Sequence, residues 1–101
     1  MKQYVYVLKL IERLWVVNAW TTQDNAIVDA HFAYLKTLLA QGRLILAGKT
    51  AGNDETTFGL VIFEAVDDEE AKRIMENDPS VKRGIMRATC SSYHVALARN
   101  L

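Results

Sequence analysis

Cysteine is almost absent from this chain, because among its 101 residues only Cys90 carries a thiol. A single cysteine cannot form an internal disulfide, and no CxxC pair or cysteine/histidine spacing typical of a zinc site accompanies it. No basic residue adjoins Cys90 in the sequence, so we interpret it as a small buried residue and not as a nucleophile. The sequence therefore predicts no metal site and indicates a reducing, cytoplasmic setting.

An excess of charge of either sign is also lacking, since twelve basic side chains balance twelve acidic ones. Without a net field to attract a polyanion, nucleic acid is not expected as a partner. A small basic cluster, formed by Lys82, Arg83 and Arg87, is interpreted as a solvated surface. The stretch AGNDETTFG lacks both the Walker pattern and a GxGxxG spacing, so no nucleotide-binding loop and no cofactor are predicted.

Long hydrophobic runs are missing as well. The first residues, MKQYVYVLKLIERLWVV, resemble a signal peptide, but Lys9, Glu12 and Arg13 interrupt their apolar run. No stretch approaches the roughly 18 apolar residues of a membrane span. The sequence thus predicts neither a signal peptide nor a membrane protein.

The composition that is present is that of a globular domain, with 50% hydrophobic and 24% charged residues. A chain of this length buries roughly 60 to 70% of its unfolded surface on folding. We therefore expect residues 1–101 to form one domain.

The hydrophobic pattern predicts six elements. Periodicity, turn residues and caps place strands at residues 3–10, 43–50, 56–65 and about 87–97, and helices at 24–41 and from Asp67 to Asp78. Gly52, Asn53 and Asp54 suit the turn of an antiparallel hairpin between the second and third strands. The order β-α-β-β-α-β predicts an α+β fold of the ferredoxin-like type, a four-stranded antiparallel sheet with two helices on one face.

Both faces of the predicted sheet are apolar. In the first strand Val5 and Val7 point away from Tyr4, Tyr6 and Leu8, yet two helices can cover only one face. An exposed apolar face usually marks an interaction site, so we expect a homodimer through the open face of the sheet. The alternative is that the loop 11–22, with Trp15 and Trp20, folds across that face.

His31 is the side chain most suited to chemistry. It lies four residues after Ile27 and four before Leu35, in the middle of the apolar stripe of the first helix. One interpretation is a buried imidazole bonded to a backbone carbonyl. The other is an acid/base residue in a cleft, since imidazole titrates near neutral pH.

Asp78 is the candidate partner of that imidazole, because it lies where the second helix breaks at Asp78-Pro79. It could also be a plain residue of the helix end. A carboxylate is unfavourable at the negative end of a helix, which favours a functional role. The other histidine, His94, is placed in the last strand on the face shared with Cys90 and Ser92, assigned to the dimer interface, and is interpreted as structural.

Three stretches, HFAYLKTLLAQGRLILAGKT, FGLVIFEAVDDEEAKRIMENDP and the closing VALA, resemble the YCII-related (YciI-like) family from Trp20 onward. The resemblance implies a dimeric α+β barrel and an active-site pair formed by the helix histidine and the Asp-Pro aspartate, here His31 and Asp78. Related barrels include isomerases and cofactor-free oxygenases of cyclic compounds.

This chain departs from the family pattern in two places. No basic residue lies between Arg13 and His31, where many members carry one, so anion binding by that helix is not implied. Ser80 and Ser92 stand where members often have an aromatic residue and a proline, which would reshape the cleft.

Two hypotheses for function follow. In the first, the protein is a small cofactor-free enzyme in which His31 and Asp78 act on a cyclic or carbonyl compound held by Trp20, Tyr34, Gly48 and Pro79. In the second, it is a non-catalytic dimeric module that binds a ligand or assists another protein, and the same pair is a structural hydrogen bond.

Overall fold

Over residues 1–99, which a computed structural model describes, the chain forms four strands and three helices. Their bounds are β1 Lys2–Leu10, α1 Thr22–Ala40, β2 Leu44–Lys49, β3 Gly59–Ala65, α2 Asp68–Asn77, α3 Pro79–Lys82 and β4 Met86–Ser92. Two short 3-10 turns, Glu12–Trp15 and Val17–Ala19, connect β1 to α1.

The strands form one antiparallel sheet in the order β2-β3-β1-β4. In the register of this sheet, Tyr6 of β1 lies opposite Val61 of β3 and Cys90 of β4. Helix α1 follows β1 in the chain, and helix α2 follows β3. This order of strands and helices confirms the predicted ferredoxin-like α+β fold.

One face of the sheet carries the main core. Alternate side chains of β1 and β3 are buried there, and the rings of Tyr6 and Phe63 meet edge to face with centroids 5.5 Å apart. The helices close this layer with Leu35 and Leu38 of α1 and three residues of α2, namely Ala71, Ile74 and Met75. Both long helices therefore lie on the same face, as the sequence predicted.

Helix α1 begins two residues earlier than predicted because it has a full capping box. The hydroxyl of Thr21 accepts from the amide of Asp24, and the Asp24 carboxylate accepts from the amide of Thr21. Arg13 donates to both Asp24 oxygens at 2.8 Å. Hydrogen bonding from Arg13 and then from Thr21 outweighs burial and holds the pKa of Asp24 well below its usual range.

Helix α2 begins where the sequence predicted, with the Asp67 carboxylate accepting from the amide of Glu70 at 2.9 Å. The reciprocal bond of a capping box is shifted by one residue. Glu70 accepts from the amide of Val66 and pairs with Arg43.

Three strands are shorter than predicted, and β2 loses only one residue at each end. β3 begins at Gly59, because the preceding residues belong to a loop that the backbone bond from Thr50 to Phe58 closes. β4 ends at Ser92 and not near residue 97, because it runs antiparallel to β1 and soon passes the start of that strand. Tyr93 donates to the carbonyl of Gln3, and only Lys2 of β1 lies beyond that point.

The length and the register of β4 each correct one assignment. His94 lies outside the strand and is exposed. Cys90 lies on the face covered by the helices and not on the open face, because it is opposite Tyr6 and packs against the main core.

The loop 11–22 packs mainly beside α1 and does not cover the open face of the sheet. Leu14 is buried against Ile27 and Ile85, and Trp20 packs against the same cluster. Trp15 lines a cleft that also includes Val7 of the open face. Within residues 1–99, none of the helices is both long and apolar enough to cross a membrane.

Candidate active site

His31 lies in the middle of α1 and turns its ring toward the interior of the molecule. Its residue exposure is only 7%, and its neighbour across the core is Asp78, 47 positions later in the chain. The Nδ1 atom of His31 lies 2.8 Å from both carboxylate oxygens of Asp78. The two residues are therefore in direct contact, and the orientation of the imidazole is fixed by a carboxylate.

Asp78 lies at a junction between two helices. Its backbone is extended, it ends α2, and its carboxylate accepts from the amide of Ser80 at 3.0 Å as the N-cap of α3. Pro79 occupies the first helical position of α3, where its missing N–H costs nothing. The expectation that a carboxylate is unfavourable at the end of α2 is wrong for Asp78, because Asp78 also faces the positive start of α3.

Asp78 is completely buried and accepts four hydrogen bonds. Besides His31 and the amide of Ser80, the Tyr6 hydroxyl donates to Oδ2 at 2.8 Å and the Ser80 hydroxyl donates to Oδ1 at 2.8 Å. Tyr6 and Ser80 are themselves fully buried or nearly so. A buried carboxylate needs donors in this number, since each unsatisfied lone pair would cost free energy.

The pKa values of this cluster reflect that arrangement. Burial acts to raise the pKa of Asp78, but the hydrogen bond and charge of His31, with the bonds from Tyr6 and Ser80, outweigh burial, so the net pKa lies below its ordinary value. Burial, followed by the charge of Asp78 and the hydrogen bond to it, raises the pKa of Tyr6 far above its ordinary value. Asp78 is thus an anion, and Tyr6 remains a donor.

A cavity of about 310 Å³ lies next to His31, between α1, the helix-covered face of the sheet and the loop 50–58. Its lining is mostly apolar, with Leu8, Trp20, Val28, Phe32, Leu35, Phe58, Val61 and Met86 among the contributors. Trp20 is held in place by a bond from its Nε1 to the carbonyl of Leu14 at 3.0 Å. This volume is at the lower end of the range typical of ligand pockets.

The other ring nitrogen of His31, Nε2, is the one available to a ligand. Every hydrogen bond that the ring makes within residues 1–99 uses Nδ1, and His31 is one of the residues lining the cavity. A proton on Nδ1, donated to Asp78, leaves the lone pair on Nε2 in the neutral ring. The arrangement can therefore accept or donate a proton at the cavity wall.

The residues predicted to hold a substrate divide into two groups. Trp20 and Gly48 line the cavity. Tyr34 and Pro79 lie outside its lining, and the Tyr34 hydroxyl donates to the carbonyl of Ile74 at 2.7 Å. Burial and the charge of Asp78 raise the pKa of Tyr34 to about 12.

The other residues singled out in the sequence do not line the cavity. Cys90 is half-buried, and burial raises the pKa of its thiol. Arg83 and Arg87 are exposed, as is Lys82. In the part of the chain that the structure describes, no cluster of three histidine, cysteine or acidic side chains is placed to hold a metal ion.

Sequence reasoning missed Tyr6 and Ser80 as partners of Asp78. Tyr6 could have been found from its position on the helix-facing side of β1, since the hydroxyl of a buried tyrosine usually has a partner. Ser80 could have been found by interpreting Asp-Pro-Ser as an N-cap followed by a helical proline. We interpreted the proline only as the end of α2.

A model of the YCII-related domain matches residues 4–90, which include most of β1, helices α1 and α2, and Asp78. The chain belongs to the YCII-related family. No curated protein matches the sequence. Among solved structures, this YCII-related chain is similar to 5-chloro-2-hydroxyhydroquinone dehydrochlorinase (TftG) from Burkholderia phenoliruptrix AC1100, in complex with 2,5-dihydroxybenzoquinone. The two are 23% identical, the TM-score is 0.67, and the match covers 91% of this chain and 93% of the other. This likeness supports the shared fold.

Proposed function

We propose that this YCII-related protein is a small-molecule enzyme that uses His31 as a general acid and base on a compact cyclic or carbonyl compound. The observation that carries the proposal is the orientation of one imidazole. Nδ1 is bound to a buried carboxylate, while His31 lines an apolar cavity. A base held in this way by a third group is a recurring arrangement in acid–base catalysis.

In the proposed reaction, Nε2 of His31 takes a proton from a C–H or O–H group of the bound compound, and the electron pair of that bond stays on the compound. The imidazolium that forms keeps its Nδ1 proton and donates a hydrogen bond through it to Asp78, whose negative charge stabilises the imidazolium. Nε2 then returns the proton to another atom of the compound, and the enzyme is regenerated. The apolar lining excludes water from the reacting groups, which strengthens their electrostatic interactions.

The similar solved structure supports the type of substrate. That protein is a dehydrochlorinase of a ring compound, and its structure holds 2,5-dihydroxybenzoquinone. A ring compound of that size fits a cavity of about 310 Å³. Because the dehydrochlorinase is only 23% identical to this chain, the proposed reaction rests on the chain's own His31 and cavity.

A second candidate is the non-catalytic dimeric module that binds a ligand or assists another protein. The observation that favours it is the number of structural bonds at Asp78, which caps α3 and binds Tyr6 whether or not any chemistry occurs. In that case, His31 only braces α1 against the junction of α2 and α3.

The variant His31→Ala separates these candidates. The assay measures both conversion of hydroxylated and chlorinated benzenes and exchange of ring or α-protons with deuterated water, followed by NMR. The enzyme proposal predicts a loss of at least about 100-fold in rate, the lower range for a positioned acid or base. The fold should persist with a stability loss of roughly 1 to 3 kcal/mol, because Asp78 retains three other donors.

The matched control is His94→Ala, because His94 is the other histidine and is exposed outside β4. This variant should keep both the rate and the stability of the wild type. Equal turnover by His31→Ala and the wild type would contradict the enzyme proposal, and so would a complete absence of exchange and turnover in the wild type across the compounds tried.

A further inference from the structure

Lys49 brings a positive charge to the cavity that holds His31. Within the lining of that cavity, as described over residues 1–99, the side chains that can carry charge are those of His31 and Lys49. His31 comes from α1, while Lys49 ends β2 and thus reaches the cavity from another element. The remaining lining is apolar except for Asn53 and Thr57.

The register of the sheet places the side chain of Lys49 on the cavity side. Lys49 lies opposite Gly59, and Gly59 in turn lies opposite Leu8, whose side chain is buried on the helix-covered face. A Cβ built on Gly59 would lie 3.7 Å from Cβ of Leu8 and 3.8 Å from Cβ of Lys49. Leu8 and Lys49 therefore lie on either side of Gly59 on the helix-covered face. Because Gly59 has no side chain, the space between them is part of the cavity.

The ammonium group of Lys49 has no carboxylate partner among the described residues. Its Nζ donates only to the carbonyl of Gly52 at 3.2 Å, within the same loop. Among residues 1–99, the cations that pair with carboxylates are Arg13 and Arg43, and the remaining carboxylate contact is that of His31 with Asp78. Lys49 is exposed at the edge of this apolar cavity, and an unpaired cation in that position favours a bound anion.

We infer that the site selects a single-ring organic anion, such as a phenolate, enolate or carboxylate, with its charge at Lys49 and its ring in the apolar part of the cavity. The inference rests on the proposed function and names its class of substrate. Trp20, Phe32 and Phe58 supply aromatic surface for a flat ring. The cavity volume of about 310 Å³ fits one ring better than two.

Benzoate and benzamide are suitable probes, because they share a ring and a planar substituent and differ in charge. Their dissociation constants are measured by calorimetry in the wild type and in Lys49→Met, which keeps the length of the side chain and removes its charge. We expect the wild type to bind benzoate about tenfold more tightly than benzamide, and added salt to reduce this preference. In Lys49→Met the two constants should become nearly equal.

The matched control is Lys36→Met, an exposed lysine of α1 outside the cavity lining, which should keep the wild-type preference. Equal binding of the two probes by the wild type, no binding of either, or a preference that persists in Lys49→Met would overturn the inference. His31→Ala is measured as well, since charge selection requires no proton transfer and should survive there. Loss of the preference in His31→Ala would also overturn it, whereas loss of turnover alone concerns only the proposed function.

Discussion

Three donors besides His31 bind the carboxylate of Asp78, and they stabilise its ionised form. The Tyr6 hydroxyl, the Ser80 hydroxyl and the Ser80 amide keep Asp78 ionised in a site that water does not reach. An aspartate with His31 as its only partner would have less compensation for burial. Tyr6 and Ser80 are therefore positioning residues, which act on His31 through Asp78.

Replacing Tyr6 by phenylalanine tests this role through the dependence of stability on pH. The change removes one donor to a buried charge, so we expect a loss of about 1.5 to 3 kcal/mol at pH 7. Because the pKa of folded Asp78 lies below its unfolded value, its ionised form stabilises the protein above that unfolded value, and this contribution disappears as pH falls through the folded pKa. Tyr6→Phe removes part of it, so the difference from the wild type should shrink below about pH 4.

The measurement is urea unfolding of both proteins at several pH values. Tyr4→Phe is the matched control, because the hydroxyl of Tyr4 donates to Asp68 in a partly buried position elsewhere on the sheet. We expect a smaller loss in that variant. A loss in Tyr6→Phe that stays constant down to acid pH would show that the bond to ionised Asp78 is not its source.

At the scale of elements, the sequence predicted what local signals specify. The apolar stripe that includes Ile27 and Leu35 predicted α1, and Asp67 with Glu70 predicted the start of α2. The ends of strands were less predictable, because they depend on partners distant in sequence. β4 stops at Ser92, opposite Tyr4 and close to the start of β1, and no local feature of the last strand predicts this end.

The candidate site was partly predictable for the same reason. His31 could be assigned to the inner face of α1 from its spacing, and the family resemblance implied Asp78 as its partner. The cavity depends on long-range packing, since Lys49 and Gly59 meet Leu8 only through the register of three strands. A pattern along one segment carries no information on that register beyond the alternation of faces.

At the scale of the whole molecule, we propose a homodimer through the open face of the sheet. That face is apolar along β1 and β3, where Val7 and Leu60 are only half-buried, and both lie opposite each other in the register. Within residues 1–99, the helices pack on the opposite face of the sheet. The segment after β4 contacts β1 through hydrogen bonds to Gln3. Val5 and Ile62 of the same face are buried within one chain, so the apolar area left for a second copy is centred on Val7 and Leu60, and this area favours association.

Sedimentation of the wild type should give twice the monomer mass of 11.4 kDa. Val7→Glu should shift the protein to the monomer, because it places an unpaired charge in the centre of the proposed interface. Val66→Glu, an exposed position after β3, is the control and should remain dimeric. A monomeric wild type at the same concentration would contradict the proposal.

The central claim, that Asp78 orients His31 so that Nε2 serves the cavity, is tested most directly by ¹⁵N NMR of the imidazole in its neutral form. We expect the proton to reside on Nδ1 in the wild type and Asp78→Asn to lose this strict preference, because an amide can also donate to the ring. A neutral ring protonated on Nε2, or a mixture of tautomers that Asp78→Asn does not change, would show that Asp78 does not orient His31.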